Sequence, residues 1–389
     1  MSAATDPPII CFSAVDWDYL TMREHQILSR LAHRHPVLYV EEQSHLLSLV
    51  RAPRKVRKLW QWARRPRPVA TNLWVYTPVI MLPLGRVVEA INAVNQWVLT
   101  ALVRRAARAL GWSRPILWLY EPDQYRQIGR YAERLVVYDC ADRHDAFVRL
   151  QRPALVRRME QRLCDRADII LTVSAALTDA IGPRRCHLVP NGTDFAFFRA
   201  TLAPELAIAD DLAAVARPVV GYVGTIDSRV DVELLEAAAR QIPEATFVFV
   251  GPAQADVRRL RGLPNVRLLG RRPYTLLPRY LKGFDACVLP FRRTPLTIAG
   301  CPIKLYDYLA AGKTVVATDI PEARRFRRGV LVATNRAEFI RFLREGITHP
   351  LPPEIVSAQM AGETWDDRAA AIMRLLDEHL DPARAPAAS

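Results

Sequence analysis

The chain has 389 residues, half of them hydrophobic, with 54 Lys and Arg against 40 Asp and Glu for a net charge of +14. The apolar fraction excludes a disordered chain, and the length exceeds one ordinary core, fitting two domains of roughly 150–200 residues each. The six cysteines (Cys11, Cys140, Cys164, Cys186, Cys287, Cys301) form no C-x-x-C pair and no zinc-like spacing; several sit in or beside apolar runs, which suits buried free thiols in a reducing compartment.

Taken in chain order, the first half alternates short apolar runs with helical patterns. The N-terminus lacks a basic leader and runs into a strand, so no signal peptide is expected. Strands are predicted at Ile9–Ser13, Val37–Val40, Leu73–Tyr76, Ile116–Tyr120, Leu135–Tyr138, Ile169–Val173 and His187–Val189, with helices near Arg23–His33, Arg86–Leu110 and Ala154–Cys164. Such alternation predicts a parallel sheet covered on both faces. Between Gln43 and Val88 there is no acidic residue, while Arg51, Arg54, Lys55, Arg57, Lys58, Arg64, Arg65, Arg67 and Arg86 fall there with Trp60 and Trp62 among them. Each basic residue near an anionic leaflet contributes about 1 kcal/mol, and tryptophan suits the headgroup layer. The run is therefore read as a membrane patch; a plain solvated face and a nucleic-acid surface are the alternatives. No apolar stretch is long and uninterrupted enough to span a bilayer: Pro68–Gly85 is broken by Asn72, Pro78 and Pro83, and Ala90–Val103 is short and holds Asn92, Asn95 and Gln96.

Asn191-Gly192-Thr193-Asp194 reads as a turn closing the first half, and residues of about 195–217 as a linker. A second α/β series follows, with strands at Val219–Val223, Thr246–Val250, Val266–Leu269, Ala286–Leu289 and Thr314–Ala317, and helices at about 231–240, 275–282 and 302–311. Two doubly wound Rossmann-like domains facing a central cleft are expected, with ligands at the carboxyl ends of the strands. They span about 1–200, with a basic insertion at about 43–88, and 218–364. A final helix over about 365–382 begins at Trp365.

The densest signal is Cys301-Pro302-Ile303-Lys304-Leu305-Tyr306-Asp307-Tyr308-Leu309-Ala310-Ala311-Gly312-Lys313. Pro302 suits a first helical position and Gly312 the left-handed residue past a helix end. Lys304 stands in the first turn, where the macrodipole favours an acid; a cation there makes sense if an anion lies in front of the helix. Upstream lie Asn265-Val266-Arg267-Leu268-Leu269-Gly270-Arg271-Arg272-Pro273-Tyr274, Leu277-Pro278-Arg279-Tyr280-Leu281 and Asp285-Ala286-Cys287-Val288-Leu289-Pro290-Phe291. In that order these segments resemble the donor-binding half of GT-B glycosyltransferases, in particular the bacterial polysaccharide-building branch.

The resemblance implies a transferase that moves a sugar from a nucleotide diphosphate, UDP above all, to a glycan or a polyprenyl-diphosphate-linked acceptor. It implies no cofactor beyond the nucleotide-sugar substrate. The donor would be held by the loop Gly224-Thr225 with Arg229, by Arg271 and Phe291 at strand ends, and by Ile303, Lys304 and Asp307 of the helix. Asp307 stands where the branch carries the second glutamate of an E-x7-E pair; Ala299 occupies the first position, which argues against a retaining mechanism of that type. In the first domain, Tyr138-Asp139-Cys140-Ala141-Asp142-Arg143-His144 resembles a Tyr-Asp-x-x-Asp segment of the branch. There Asp142 would take the acceptor proton if transfer inverts the anomeric carbon, Asp139 would shape the loop through backbone N–H groups, and His144 would contact the donor sugar. Asp142 merely capping a helix is the plainer alternative.

Asp16-Trp17-Asp18 resembles the metal motif of the other glycosyltransferase fold, but the two-domain series argues against that fold; Asp16 becomes a second catalytic candidate, with Arg23 and Glu121 at the acceptor side. No metal-ligand constellation is apparent. The expected partners are the donor, the acceptor and an anionic inner-membrane surface, placing the protein in the cytoplasm on the inner face of the cell membrane, and nucleic acid is not expected. A GT-B sugar-nucleotide epimerase, or a non-catalytic protein keeping the same shell and binding membrane or nucleic acid, are the rival readings.

Overall fold

A computed structural model describes residues 6–19, 21–43, 65–79, 81–147, 151–182 and 186–381. The chain divides into two compact units, 1–190 with 369–389, and 191–368. The basic residues Arg51, Arg54, Lys55, Arg57, Lys58, Trp60, Trp62 and Arg64 lie outside the described residues.

Unit 1 is built on one eight-stranded sheet. Its strands are β1 (Ile9–Phe12), β2 (Val37–Val40), β3 (Arg67–Ala70), β4 (Leu73–Tyr76), β5 (Ile116–Leu119), β6 (Leu135–Cys140), β7 (Ile169–Thr172) and β8 (Cys186–Leu188). Their order is β3-β4-β2-β1-β5-β6-β7-β8, parallel throughout except for β3, which runs antiparallel to β4. The central strands are continuous apolar runs because both faces are covered: β1, β2 and β5 are buried along their whole length. β3 is the exception, an exposed edge strand carrying Pro68, where a missing N–H costs no ladder bond. The sheet therefore extends into the basic stretch, and residues 67–76 are body of the domain and not insertion. Arg86 also leaves the basic face: its guanidinium meets Glu121 Oε2 at 2.5 Å and Asp123 Oδ1 at 3.5 Å.

Unit 2 carries a six-stranded, wholly parallel sheet of β9 (Val219–Val223), β10 (Thr246–Val250), β11 (Val266–Gly270), β12 (Ala286–Leu289), β13 (Thr314–Thr318) and β14 (Val330–Ala333), ordered β11-β10-β9-β12-β13-β14. Counted within the unit this is 3-2-1-4-5-6, the doubly wound order, whose direction of winding reverses between β9 and β12. Strand β14 and the helix Arg336–Thr348, opened by Asn335 accepting from Glu338 N–H, complete the layer beyond the elements expected from sequence. In unit 1 the same reversal falls between β1 and β5. Ligands in such sheets sit beyond the carboxyl ends of the strands at the reversal, so each unit has one geometrically favoured place for chemistry.

Candidate functional site

In unit 2 the reversal point is occupied by Lys304. Helix Ile303–Ala310 begins one residue later than expected: Pro302 has extended backbone (ψ 112°) and precedes the first turn. Gly312 at φ +70° is the left-handed residue past its end. Leu305, Tyr306, Tyr308 and Leu309 are all buried, and Tyr308 stitches the helix to β9, its hydroxyl donating to Val223 C=O at 3.1 Å and accepting Val223 N–H at 2.6 Å. That clamp carries Lys304 over the end of β9. Its Nζ donates to Tyr222 Oη at 3.1 Å and lies 4.9 Å from the Tyr222 ring centre and 5.0 Å from that of Phe291. Tyr222 in turn donates to Thr225 C=O at 2.9 Å, shaping the loop after β9.

Gly224 is indispensable to this arrangement. It sits at φ +136°, and a Cβ there would stand 2.7 Å from Lys304 Cε and 3.0 Å from Nζ. No carboxylate forms an ion pair with Lys304 among the described residues. Burial, and then the nearby Arg229, push its pKa down to about 7. A half-buried ammonium held between two ring faces at a strand-end loop, with Asp227 and Asp307 near enough to favour its charge but neither in ion-pair contact, is arranged to receive an anion.

The remaining donor-side residues fall in the same unit. Phe291 is buried beyond β12 and pairs backbone with Val230. Arg229 is held by Asp227, Nε at 3.1 Å from both carboxylate oxygens and Nη2 at 2.6 Å from Oδ2. Its guanidinium is thus already engaged with a carboxylate, although a phosphate contact was expected of it. Burial works against the charge on Asp227, and Arg229 outweighs it, holding that carboxyl below its usual range. Asp307 Oδ1 accepts from Thr193 Oγ1 at 2.8 Å, and burial raises its pKa to about 8 against that hydrogen bond. Arg271 is exposed at the end of β11, and Ile303 is half-buried at the helix start. Ala299 is buried, so its position offers no carboxylate.

In unit 1 the strand ends hold an ionisable cluster. Arg23, expected at an acceptor, is instead buried: Nε meets Asp139 Oδ1 at 3.0 Å and Oδ2 at 3.1 Å, and Nη1 donates to Pro190 C=O at 3.2 Å. Asp139 accordingly shapes the region through this buried guanidinium pair, where bonds to loop N–H groups were expected. Both are nearly inaccessible, since the pair stands inside the sheet edge where only a partner charge offsets desolvation. Glu24, which sequence did not single out, is buried beside them, and desolvation lifts its pKa to about 7, with Asp139 and Asp142 adding to the effect. Asp142 is half-buried in the segment after β6 and does not cap the one-turn helix His144–Ala146, whose preceding residue is Arg143.

His144, expected to touch the donor sugar, is 5% exposed with both ring nitrogens shielded from solvent, so it faces the domain interior. Its Nδ1 lies 3.3 Å from Glu121 Oε2, and Glu121 is held in turn by Arg86. Glu121 is thus spent on internal partners. Asp16 stays half-buried after β1, while Asp18 pairs with exposed Arg67 at 3.0 Å, so the Asp-x-Asp does not converge on one point. Of the basic residues from Arg51 to Arg65 only Arg65 is among the described residues, and it is exposed.

Comparison with known proteins places this geometry. Residues 217–348, most of unit 2, match the family model described as glycosyl transferases group 1. Solved structures similar over nearly the whole chain include a sucrose-phosphate synthase from Thermosynechococcus elongatus (TM-score 0.69, 15% identity, 96% of this chain and 99% of that one). Another, from E. coli, is described as trehalose-6-phosphate bound with UDP-2-fluoro glucose (TM-score 0.68, 11% identity, 95% and 99%). A third is Anabaena HepE in complex with UDP and glucose (TM-score 0.64, 15% identity, 96% and 100%). These structural likenesses show a GT-B fold. Among curated proteins, the chain is 30% identical over 233 residues to the putative teichuronic acid biosynthesis glycosyltransferase TuaH of Bacillus subtilis (strain 168). That match spans 55% of this chain and 58% of the relative's length.

Proposed function

We propose that the protein is a glycosyltransferase of bacterial surface-polysaccharide synthesis, moving a sugar from a UDP-sugar to a glycan or polyprenyl-diphosphate-linked acceptor. The observation that carries this reading is Lys304, a cation with no ion-pair partner among the described residues, at the winding reversal of unit 2, with Gly224 leaving room for it. An ammonium there stabilises the diphosphate as it leaves, when charge develops on the bridging oxygen. Asp307 and Thr193, joined by a hydrogen bond, offer polar contacts to ribose or sugar hydroxyls. The relative TuaH supports the polysaccharide setting, and the UDP and UDP-sugar bound in two structural neighbours support the nucleotide.

On the acceptor side, Asp142 is the proton acceptor in a single displacement that inverts the anomeric carbon. Ala299 in place of a carboxylate favours that course.

Association with an anionic membrane completes the reading. The helix Glu89–Ala109 and the turn before it expose Leu82, Leu84, Val88, Val94 and Trp97, the last at 73%. Exposed Arg104, Arg105 and Arg108 continue the same helix. An aromatic and aliphatic stripe ending in arginines suits a headgroup layer.

Calorimetry with UDP and a panel of UDP-sugars tests the donor assignment: UDP binding in wild type and its loss in Lys304→Ala are expected. Donor binding unchanged in that variant would falsify it. Sugar transfer to an acceptor separates the transferase from an acceptor-independent epimerase, and any turnover separates it from a non-catalytic shell.

A further inference from the structure

Away from the donor grip, unit 1 brings three metal-ligand types together inside the domain. Cys140 ends β6, His144 opens the one-turn helix that follows, and Glu160 lies on the helix Pro153–Cys164. One donor atom from each, a thiol sulfur, an imidazole nitrogen and a carboxylate oxygen, lie within 4.8 Å of one another. The Cys140 Sγ to Glu160 Oε1 separation is 3.9 Å. The sequence shows no such constellation because its members are spread as Cys-x3-His-x15-Glu, a pattern that only the packing of β6 against the helix closes.

The state of the imidazole is an independent observation that points to a ligand at the centre. His144 is 95% removed from solvent; its Nδ1 faces Glu121 Oε2 at 3.3 Å, while its Nε2, sealed from water, has no hydrogen-bond partner among the described residues. An imidazole can always donate or accept at each nitrogen, and buried polar atoms are ordinarily satisfied.

We propose that Cys140, His144 and Glu160 form a zinc site. Sulfur, nitrogen and oxygen ligands of this kind bind zinc at about 2.3, 2.0–2.1 and 2.0–2.2 Å respectively. Tetrahedral bonds of those lengths set neighbouring donors about 3.3–3.7 Å apart, so the 3.9 Å sulfur–oxygen separation closes with a shift of a few tenths of an ångström. The surroundings supply an outer shell. Glu121, fixed by Arg86, lies beside Nδ1 of His144, and Tyr138 Oη donates to Glu160 Oε1 at 2.6 Å. A carboxylate behind a histidine and a hydroxyl behind a carboxylate are the partners that orient ligands toward an ion. Three protein ligands leave the fourth position to water.

On binding, the Cys140 S–H bond breaks, its proton leaves to solvent and a Zn–S bond forms, while His144 binds as the neutral ring. The ion ties β6 to the helix Pro153–Cys164 and so fixes the intervening segment that carries Asp142. The role is structural and does not depend on the transfer reaction.

The test uses the full chain, stripped with a chelator and titrated with Co2+ and then Zn2+. One equivalent of cobalt is expected to give a thiolate-to-metal charge-transfer band with the visible bands of a four-coordinate ion, both lost on adding zinc. Cys140→Ser removes the charge-transfer band, and Cys164→Ser and Cys186→Ser retain it. Glu121→Gln, which alters the outer shell alone, lowers zinc affinity about 10–100-fold. Should Cys140→Ser fail to fold, zinc-edge X-ray absorption on the wild-type protein decides, with one sulfur and otherwise nitrogen and oxygen expected. No charge-transfer band in wild type, a band that survives Cys140→Ser, or a shell without sulfur overturns the site and leaves His144 as an imidazolium shared by Glu121 and Glu160.

Discussion

Replacing Lys304 with methionine should stabilise the protein while it abolishes donor binding. The folded state holds this amine with a pKa of about 7, against an ordinary value near 10.4. A lowered lysine pKa means that the unfolded chain binds more protons between pH 7 and 10, so the charge costs stability at and below neutrality and the cost fades as pH rises. A fall from about 10.4 to about 7 corresponds to at most about 4 kcal/mol. Methionine keeps the linear shape and a sulfur contact to the Tyr222 and Phe291 rings, and the Tyr222 hydroxyl keeps its bond to Thr225 C=O. A gain of about 1–4 kcal/mol at pH 7 would raise the midpoint of thermal unfolding by several degrees, shrinking toward zero near pH 10. The assay is differential scanning calorimetry from pH 6 to 10, paired with UDP titration calorimetry at pH 7. A variant less stable than wild type at pH 7, or one that binds UDP normally, would refute the view that this cation is held in readiness for an anion.

Three further outcomes follow from the same geometry. Gly224→Ala forces a side chain onto Lys304 at a φ that L-residues avoid; a loss of about 1–3 kcal/mol in denaturant unfolding is expected, with at least tenfold weaker UDP binding. Asp139→Asn leaves the Arg23 guanidinium buried without its counter-charge and should cost about 3–5 kcal/mol in urea unfolding, whereas replacing both with leucine should recover much of that loss. Trp97→Glu together with Leu82→Glu should abolish sedimentation with anionic vesicles and leave UDP binding intact; unchanged sedimentation would move the membrane contact elsewhere.

The sheets were readable because buried parallel strands are uninterrupted apolar runs: Val219–Val223 and Thr246–Val250 match the observed β9 and β10. β3 escaped because an exposed edge strand holding Arg67 and Pro68 has no apolar run to read. The helix Ile303–Ala310 was legible through the proline before it and the glycine after it, and the place of Lys304 in its first turn followed. Its partners were not, since Tyr222 lies 82 residues away in sequence. Charge was misread most often. Arg86 and Arg23 look in sequence like any surface arginine, and only the fold brings Glu121 to the first and Asp139, 116 residues on, to the second.

The chain passes between its two units twice, after Pro190 and again within the helix Trp365–Leu380, after Arg368. The two passages begin side by side: Thr193 N–H donates to Glu363 C=O at 3.0 Å, and Trp365 N–H to Thr193 C=O at 3.1 Å. Beyond Arg368 the helix belongs to unit 1, where Asp377 takes both terminal nitrogens of Arg34 at 2.9 and 3.0 Å. A chimera that grafts a foreign second unit onto this first unit must therefore replace 191–368 as an inserted cassette. An exchange at a single junction would carry away the last helical turns of the half meant to be kept.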